Sequence, residues 1–402
     1  MKKNVKHFKS MLGSLGVLLL TVPVFSQHDC GNHGAPPTIQ QKASDCSKQS
    51  NDYLTNYQLS DSYIPDGVND IVKTIHININ IWRKHDGTGG LDDSPAIKAR
   101  LEQIVSWANG RYENIAQPNY STSESFIGDA KLRIVLDNIY YYDDPNTDNH
   151  FYNCTSFADK QLLDDYIAQN YPERTRALNW HFANKAGNQN YAGFSVAGSM
   201  LSFYRTNPDM NIDAVHDWWM SGHLAHELGH GLDLYHTYSF GVGNNNTMGG
   251  DQNNFSMLPS QMGRAHRSTV IENQWNGGYE VRDFVSGYST TPYEVSTNEE
   301  WDFSMKFYQD IVVKSGNTLT IKCEIQFVPE AGITVEKGAQ LIIDGGKLTN
   351  ENYYRSHWKG IKVLGDRNLK QNTVNQGLVW LKNGAVIENA HKAITTGPNY
   401  GE

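Results

Sequence analysis

Apolar and polar positions alternate along Ile71–Trp82, with Ile75, Ile77, Ile79 and Ile81 set against His76, Asn78 and Asn80. A two-residue period predicts a strand with one buried face. From Asp93 to Asn114 the period changes: Ile97, Leu101, Ile104, Val105 and Ala108 fall on one stripe, which predicts an amphipathic helix. Alternation returns over Lys131–Tyr142 through Leu132, Ile134 and Leu136. A second helix is expected over Ala158–Asn170 and a third strand over Ala177–Ala183. The order strand, helix, strand, helix, strand predicts a layered α/β unit. Gly193–Arg205 is rich in Gly and Ser and then turns apolar, which reads as an edge strand.

The pattern changes after residue 285. Ser286–Glu300 is Ser, Thr, Pro and Glu, so residues 286–305 read as a linker. Over 306–402 a unit Gly-x-x-apolar-x-apolar recurs, at Gly316 with Leu319 and Ile321 and at Gly338 with Leu341 and Ile343. Looser copies follow at Gly360 and Gly384, so the spacings are 22, 22 and 24 residues. A fixed period of this size with β-branched runs and turn glycines predicts an all-β parallel solenoid. The repeat resembles the right-handed β-helix modules appended to some secreted bacterial enzymes. Such a module could carry a surface ligand. No capping segment is evident before Glu402, which predicts either a longer parent chain or a docked partner.

The first residues bear on compartment. Lys2, Lys3, Lys6 and Lys9 precede the apolar stretch Met11–Phe25, and Val24-Phe25-Ser26 suits a cut. Residues 1–26 therefore read as a secretory leader, and 27–60, rich in Gln, Asn, Ser and Asp, as a pro-segment or N-terminal extension. No later segment approaches the ~18 apolar residues of a transmembrane helix. The chain is expected to be secreted, extracellular or at the cell surface. Of its 402 residues, 34 are Lys or Arg and 43 Asp or Glu, a net charge of −9. That acidic balance argues against nucleic acid or an anionic membrane as the main partner. Four cysteines (Cys30, Cys46, Cys154 and Cys323) are too few for a disulfide scaffold.

The chemistry concentrates at His223-Leu-Ala-His226-Glu227-Leu-Gly-His230-Gly231-Leu-Asp233-Leu-Tyr-His236. His226 and His230 are four apart, so on a helix both imidazoles leave one face and can grip one ion. Glu227 adjoins the first ligand and can reach a water on that ion. His236 would lie about 9 Å along a continued helix from His230 and about 120° around it, too far to share the metal. The helix must therefore stop and the chain turn, which needs a residue at positive φ; Gly231 and Asp233 are the candidates. Three neutral imidazoles leave a fourth zinc position for water, whose proton Glu227 would take and pass to a leaving amine. An arrangement with Glu272 in place of His236 stands as a rival.

Beyond His236 come Asn246-Thr247-Met248-Gly249-Gly250 and Pro259-Ser-Gln261-Met-Gly-Arg264. With these residues the chain resembles the metzincin metallopeptidases, and within them the pappalysin type, over about residues 60–280. The resemblance implies a catalytic domain over 61–285, α/β (α+β) with a mixed sheet and an active-site helix. It also implies one catalytic Zn2+ on His226, His230 and His236, Glu227 as general base, and Met248 in the turn beneath the metal. The implied activity is that of a secreted metalloendopeptidase acting on a protein or peptide substrate. Two positions depart from the family pattern: its Gly falls at Asp233, and the Tyr often found after the Met is Gly250. These departures leave open a weakly active or inactive zinc-binding homologue that serves as a surface or adhesion module.

Other residues carry less. In such precursors a Cys ahead of the catalytic domain can cap the zinc, which the resemblance extends to Cys30 as a latency ligand. The rival for Cys30 is a disulfide to Cys46. Ser199–Arg205 could take an extended substrate by strand addition, or be an ordinary connection. His223 is expected near the ligands or on the surface, and His266 on the surface or in packing. Trp218 and Trp219 read as core. Asp143, Asp144, Asn146 and Asp148 hint at Ca2+, but without the Gly and Glu of an EF-hand loop they read as a solvated turn.

Overall fold

The computed structural model describes residues 71–154, 156–184, 193–196, 199–204, 214–237, 245–249, 255–271, 281–351 and 353–397. The leader, the 27–60 segment, Cys30, Cys46, Gly250 and Glu272 lie outside the described residues.

The first half forms a mixed sheet with helices. β1 (Lys73–Arg83) is followed by α1 (Pro95–Glu113), β2 (Leu132–Asp143), α2 (Phe157–Asn170) and β3 (Leu178–Asn184). Next come β4 (Gly193–Val196), β5 (Ser199–Tyr204), α3 (Ala214–Gly231), α4 (Pro259–Ser268) and β6 (Val285–Ser286). The strand order is β2-β1-β3-β5-β4, with β6 also pairing β1. β2, β1, β3 and β5 run parallel, while β4 and β6 are antiparallel to their neighbours. Local signals set the helix starts: Ser94 accepts from the Ile97 amide with Pro95 at the first turn, and Ser156 accepts from the Asp159 amide.

β1 departs from expectation, because His76, Asn78 and Asn80 are buried together with the isoleucines. A parallel sheet is covered on both faces, so its second face must satisfy polar groups internally. Asn80 Nδ2 donates to Asn179 Oδ1 at 2.9 Å. Beneath α2, Asp164 accepts from His181 Nε2 at 2.9 Å, Asn179 Nδ2 at 2.8 Å and Lys160 Nζ at 3.0 Å, all fully buried or nearly so.

The second half is a three-sided solenoid. Its strands are β7 (Ser289–Val295), β8 (Glu299–Trp301), β9 (Met305–Phe307), β10 (Gln309–Val313), β11 (Thr318–Ile321) and β12 (Glu324–Phe327). They continue as β13 (Ile333–Val335), β14 (Gln340–Asp344), β15 (Lys347–Asn350), β16 (Trp358–Val363), β17 (Leu378–Lys382), β18 (Val386–Ile387) and β19 (Ala390–Thr396). Each strand pairs in parallel with the strand three later, giving sheets β7-β10-β13-β16-β19, β8-β11-β14-β17 and β9-β12-β15-β18. Identical or similar apolar residues stack in the bore, such as Leu319 on Leu341 and Val313 on Val335 and then Val363. Trp301, Phe307, Phe327 and Trp358 form a stacked aromatic column.

The expected linker is strand instead. Its Ser, Thr and Glu are the outward positions of β7 and β8, while Val295, Trp301 and Phe303 point into the core. The repeat register also differs. Gly316 and Gly338 occupy equivalent turns before β11 and β14, but Gly360 lies inside β16 and Gly384 precedes β18. Extra residues between β16 and β17 lengthen the fourth coil, and the glycine spacings of 22, 22 and 24 do not mark equivalent positions in successive coils.

The α/β unit covers the first coil. Ile271 bridges Met305, Lys306 N donates to Val270 O at 2.8 Å, and Tyr308 Oη donates to Thr269 O at 2.6 Å. One continuous set of buried apolar side chains runs from the sheet into the bore.

Candidate metal centre

α3 carries the motif and packs along α1. Arg100 grips the Asp217 carboxylate through Nε and Nη2 at 2.6–2.8 Å. Tyr112 Oη donates to Ala225 O at 2.7 Å. Arg111 lies over the rings of Trp218 and Phe255, which gives Trp218 a packing role.

His226 and His230 leave α3 on one face, as their spacing requires. The helix ends at Gly231 and Asp233 adopts φ 64. Of the two turn candidates, Asp233 is the one in the left-handed region. The turn brings His236 back, with its Nε2 at 3.1 Å from Nε2 of both His226 and His230. The three ligand atoms all lie within 4.8 Å of one another, and the three residues are buried. Burial pushes the His226 imidazole down to about 4 and His230 well below the ordinary histidine range, so both are neutral.

Their tautomers follow from their outer partners. His226 Nδ1 donates to Thr247 O and His230 Nδ1 donates to Leu234 O, each at 2.8 Å. Both Nε2 atoms therefore present lone pairs. Lone pairs converging from buried, neutral imidazoles are the donor set that a divalent cation takes. Nitrogen contacts of this length also suit a tetrahedral zinc, for which Zn–N of about 2.0–2.1 Å implies edges of about 3.3 Å.

The turn after the motif braces this cluster. Thr247 O receives the His226 proton, and Met248 O accepts the Thr237 amide at 3.0 Å, beside His236. Met248 itself lies under α3: a Cβ added at Gly229 would collide with its sulfur. Asn246 Oδ1 accepts from Met248 N at 2.9 Å, and Asn246 pairs reciprocally with Gln261, which caps α4. Leu234 O, Gly229, Asn246 and Gln261 thus belong to the site, although the sequence reading gave none of them a role. The Asn-x-Met spacing is an Asx-turn signal that could have shown Asn246. Backbone carbonyl ligands leave no residue-type signal at all.

Glu227 is 1% exposed, and its Oε1 lies 3.5 Å from His223 Nδ1. His223 is buried and stacks on Trp219 rather than facing solvent. His266 is also buried, its Nε2 donating to Ala130 O at 2.6 Å. Asp233 is tied by Arg264 Nη2 at 2.7 Å and Arg267 Nη2 at 3.6 Å, and Arg264 lies over the Tyr235 ring. β5 is not an edge: it sits between β3 and β4, so the described edge is Gly193–Val196.

The Asp144 loop is a built turn rather than a solvated one. Asp144 is buried, with its carboxylate accepting the Asn146 and Tyr152 amides. Cys154 is a buried free thiol pushed up to about 12 by burial, which makes it a poor ligand or nucleophile. Cys323 is disulfide-bonded.

A Ser, His, Asp set also occurs. His76 Nε2 lies 2.7 Å from Ser286 Oγ, and His76 Nδ1 lies 2.8 Å from Asp137 Oδ1. The order imitates a hydrolase triad. However, Tyr353 stacks on the imidazole at 3.8 Å, and its hydroxyl touches both His76 and Asp137. The set joins the α/β sheet to the solenoid.

No family model matches the chain, and no curated protein does. Among solved structures it is similar to wild-type OgpA from Akkermansia muciniphila, at 18% identity and TM-score 0.29, over 50% of this chain and 63% of that one. The same values hold for catalytically inactive OgpA in complex with an O-glycopeptide (glycodrosocin) substrate. The likeness therefore spans less than two thirds of the OgpA chain, at a level that leaves the site geometry to stand alone.

Proposed function

We propose that the chain is a zinc metalloendopeptidase. His226, His230 and His236 would hold one zinc ion, with Glu227 as general base. The observation that carries this reading is the convergence of three buried Nε2 atoms, two of them on imidazoles whose Nδ1 is anchored to a backbone carbonyl. A structural zinc site is closed by four protein ligands, whereas three histidines among the described residues suit an open, catalytic one.

Bound zinc supplies Lewis acidity that brings a water's pKa to about 7 and polarises a carbonyl oxygen. The chain's own residues do the rest. Thr247 O and Leu234 O fix the ligand rings, and Met248 supports α3 from below. The Glu227 carboxylate takes a proton from the attacking water and returns it to the departing amine nitrogen. Its burial keeps bulk water from competing for that proton. The edge of β4, beside α3, offers backbone partners to an extended peptide.

The finer parts rest on sequence. We also propose export through residues 1–26 and a pro-segment at 27–60, on composition, and, on the family resemblance alone, Cys30 as latency ligand and affiliation with pappalysin-type metzincins. No described helix is long and apolar enough to cross a membrane. The test is metal analysis of the purified chain, followed by casein or gelatin cleavage with and without a chelator. About one zinc per chain and chelator-sensitive cleavage lost in Glu227→Ala support the reading. Stoichiometric zinc without any cleavage favours the alternative, a zinc-binding surface module. Equal cleavage by wild type and Glu227→Ala overturns the assigned base.

A further inference from the structure

α3 carries a second row of side chains next to the ligand pair. Trp219, His223 and Glu227 are spaced four apart, so each lies about 6 Å along the helix axis from the last and about 40° around it. Side chains at this spacing meet on the helix surface. Trp219 packs against the apolar core, and the His223 ring stacks on it, 3° from parallel with centroids 5.7 Å apart. His223 Nδ1 then lies 3.5 Å from Glu227 Oε1, and both of these side chains are 1% exposed. The row runs from an anchored indole, through an imidazole held flat against it, to the carboxylate that follows His226.

A glutamate side chain turns about several torsions, whereas a general base needs one oxygen aimed at the water it deprotonates. Small errors of aim are expensive, and working groups are held by neighbours whose own rotamers are locked. His223 meets that description, because Trp219 fixes the plane of its ring. An Nδ1–H on His223 donates toward Oε1 and leaves Oε2 for the water. The 3.5 Å separation is long for a hydrogen bond, as catalytic hydrogen bonds often are before substrate arrives.

We infer that His223 is the positioning residue of the base: its Nδ1–H holds Glu227 Oε1, and Trp219 holds its ring. The inference rests on Glu227 being the general base of the peptidase reading. His223 acts through that carboxylate and has no part in holding the metal, so its loss should leave metal binding intact.

Histidine-selective nitrogen-15 spectra of the full chain, with zinc and after chelation, test the contact apart from turnover. Nδ1 of His223, assigned by its loss in His223→Asn, is expected to carry a proton in both states. Kinetics test the role. His223→Phe keeps a flat ring on Trp219 and removes the donor, and His223→Leu takes its place if the phenylalanine chain does not fold. The variant should match wild type in zinc content while kcat falls about tenfold or more and KM stays within about twofold. His223→Asn, whose amide nitrogen stands near the place of Nδ1, should recover most of that loss. A residue that only fills space would give the opposite order, because Phe fills more of it than Asn. A bare Nδ1, wild-type kcat in the variant without a donor, or an Asn variant no faster than that one overturns the proposal. The peptidase reading fails separately, through absent cleavage by wild type or equal cleavage by Glu227→Ala, and the spectra then still decide the contact.

Discussion

Met248 lies directly beneath Gly229, so close that a methyl group at 229 would overlap its sulfur. The same dipeptide that supplies this contact also accepts the His226 proton at Thr247 O and the Thr237 amide at Met248 O. One turn thereby sets the floor of the helix and two of the three ligand positions. Gly229→Ala forces either the helix or the turn to move, and overpacking of this kind costs about 1–3 kcal/mol. We expect a lower melting temperature together with weaker zinc retention on dialysis. Met248→Leu, which conserves volume, should lose less than about 1.5 kcal/mol. A Gly229→Ala chain with wild-type melting and metal content would contradict the contact.

Metal and base should separate by substitution. Removing any one of the three imidazoles leaves two ligands, so His226→Ala, His230→Ala and His236→Ala are each expected to purify with little metal. Glu227→Gln keeps the shape and all three ligands. It should retain zinc while losing the proton transfer, worth about 10²–10⁴-fold in kcat. Metal content and turnover measured on the same preparations check both. Zinc retained at native affinity by His236→Ala would restore the arrangement with a carboxylate as third ligand.

Asp233 does two jobs that different substitutions pull apart. It occupies a left-handed conformation at φ 64, and its carboxylate faces Arg264 and Arg267. Asp233→Gly relieves the backbone but removes the carboxylate that faces the arginines, one of which is 5% exposed. Asp233→Ala removes it too and keeps the strain. Ala should therefore be less stable than Gly by about 1–2 kcal/mol, the cost of the left-handed region for a residue with a Cβ. Thermal melts of the two variants decide it; equal stability would mean the conformation carries no strain.

Much of this arrangement was legible before the structure. The strand–helix alternation through Ile75–Ile81 and Leu101–Ala108 fixes the order of the α/β unit, because burial selects those periods. His236 was placed by a geometric necessity, since a straight helix cannot deliver it. What stayed hidden has a common physical cause. The carbonyls of Thr247 and Leu234 belong to every residue type. The inward Val295 and Trp301 sit among Ser, Thr and Glu whose polarity reports only the solvent face. β1 hid its second buried face for a similar reason, because buried Asn80 and exposed Asn are the same letter. The edge role went to Gly193–Val196 instead of the more apolar strand after it, since pairing order is not written in hydrophobicity.

His266 makes the metal-free chain acid-sensitive. Burial holds its imidazole down at about 3, against 6.5 for an exposed histidine. Between those values the unfolded chain binds a proton that the folded chain refuses. Stability therefore rises with pH in this window and is lost as pH falls from 6.5 toward 3, by about 1.4 kcal/mol per pH unit at most. His266→Gln can keep a donor toward Ala130 O and has no proton to bind. Denaturant unfolding of the chelated protein at several pH values between 6.5 and 4 should show a shallower pH slope in the variant. An identical slope would assign the acid sensitivity elsewhere.

Lys306 and Glu351 join the two halves of the molecule. Lys306 Nζ is fully buried and donates to Arg282 O at 3.0 Å, Val285 O at 2.6 Å and Glu351 Oε2 at 3.1 Å. Two of these acceptors belong to the α/β unit and the third to the solenoid. Glu351 in turn accepts the amides of Tyr353 and Tyr354, and Tyr353 carries the ring that lies on His76. Lys306→Met leaves a buried carboxylate and two carbonyls uncompensated, which costs about 3–5 kcal/mol. Lys306→Met/Glu351→Gln removes the stranded charge and should recover part of that loss, giving a double-mutant coupling of about 0.5–3 kcal/mol. The form of the transition is more diagnostic than its midpoint. If this pair couples the units, wild type unfolds in one step. Lys306→Met should then separate into two, with the solenoid, whose bore is stacked on its own aromatic column, melting last. A single calorimetric transition in Lys306→Met, shifted but not divided, would place the coupling in the apolar contact of Ile271 with Met305 instead.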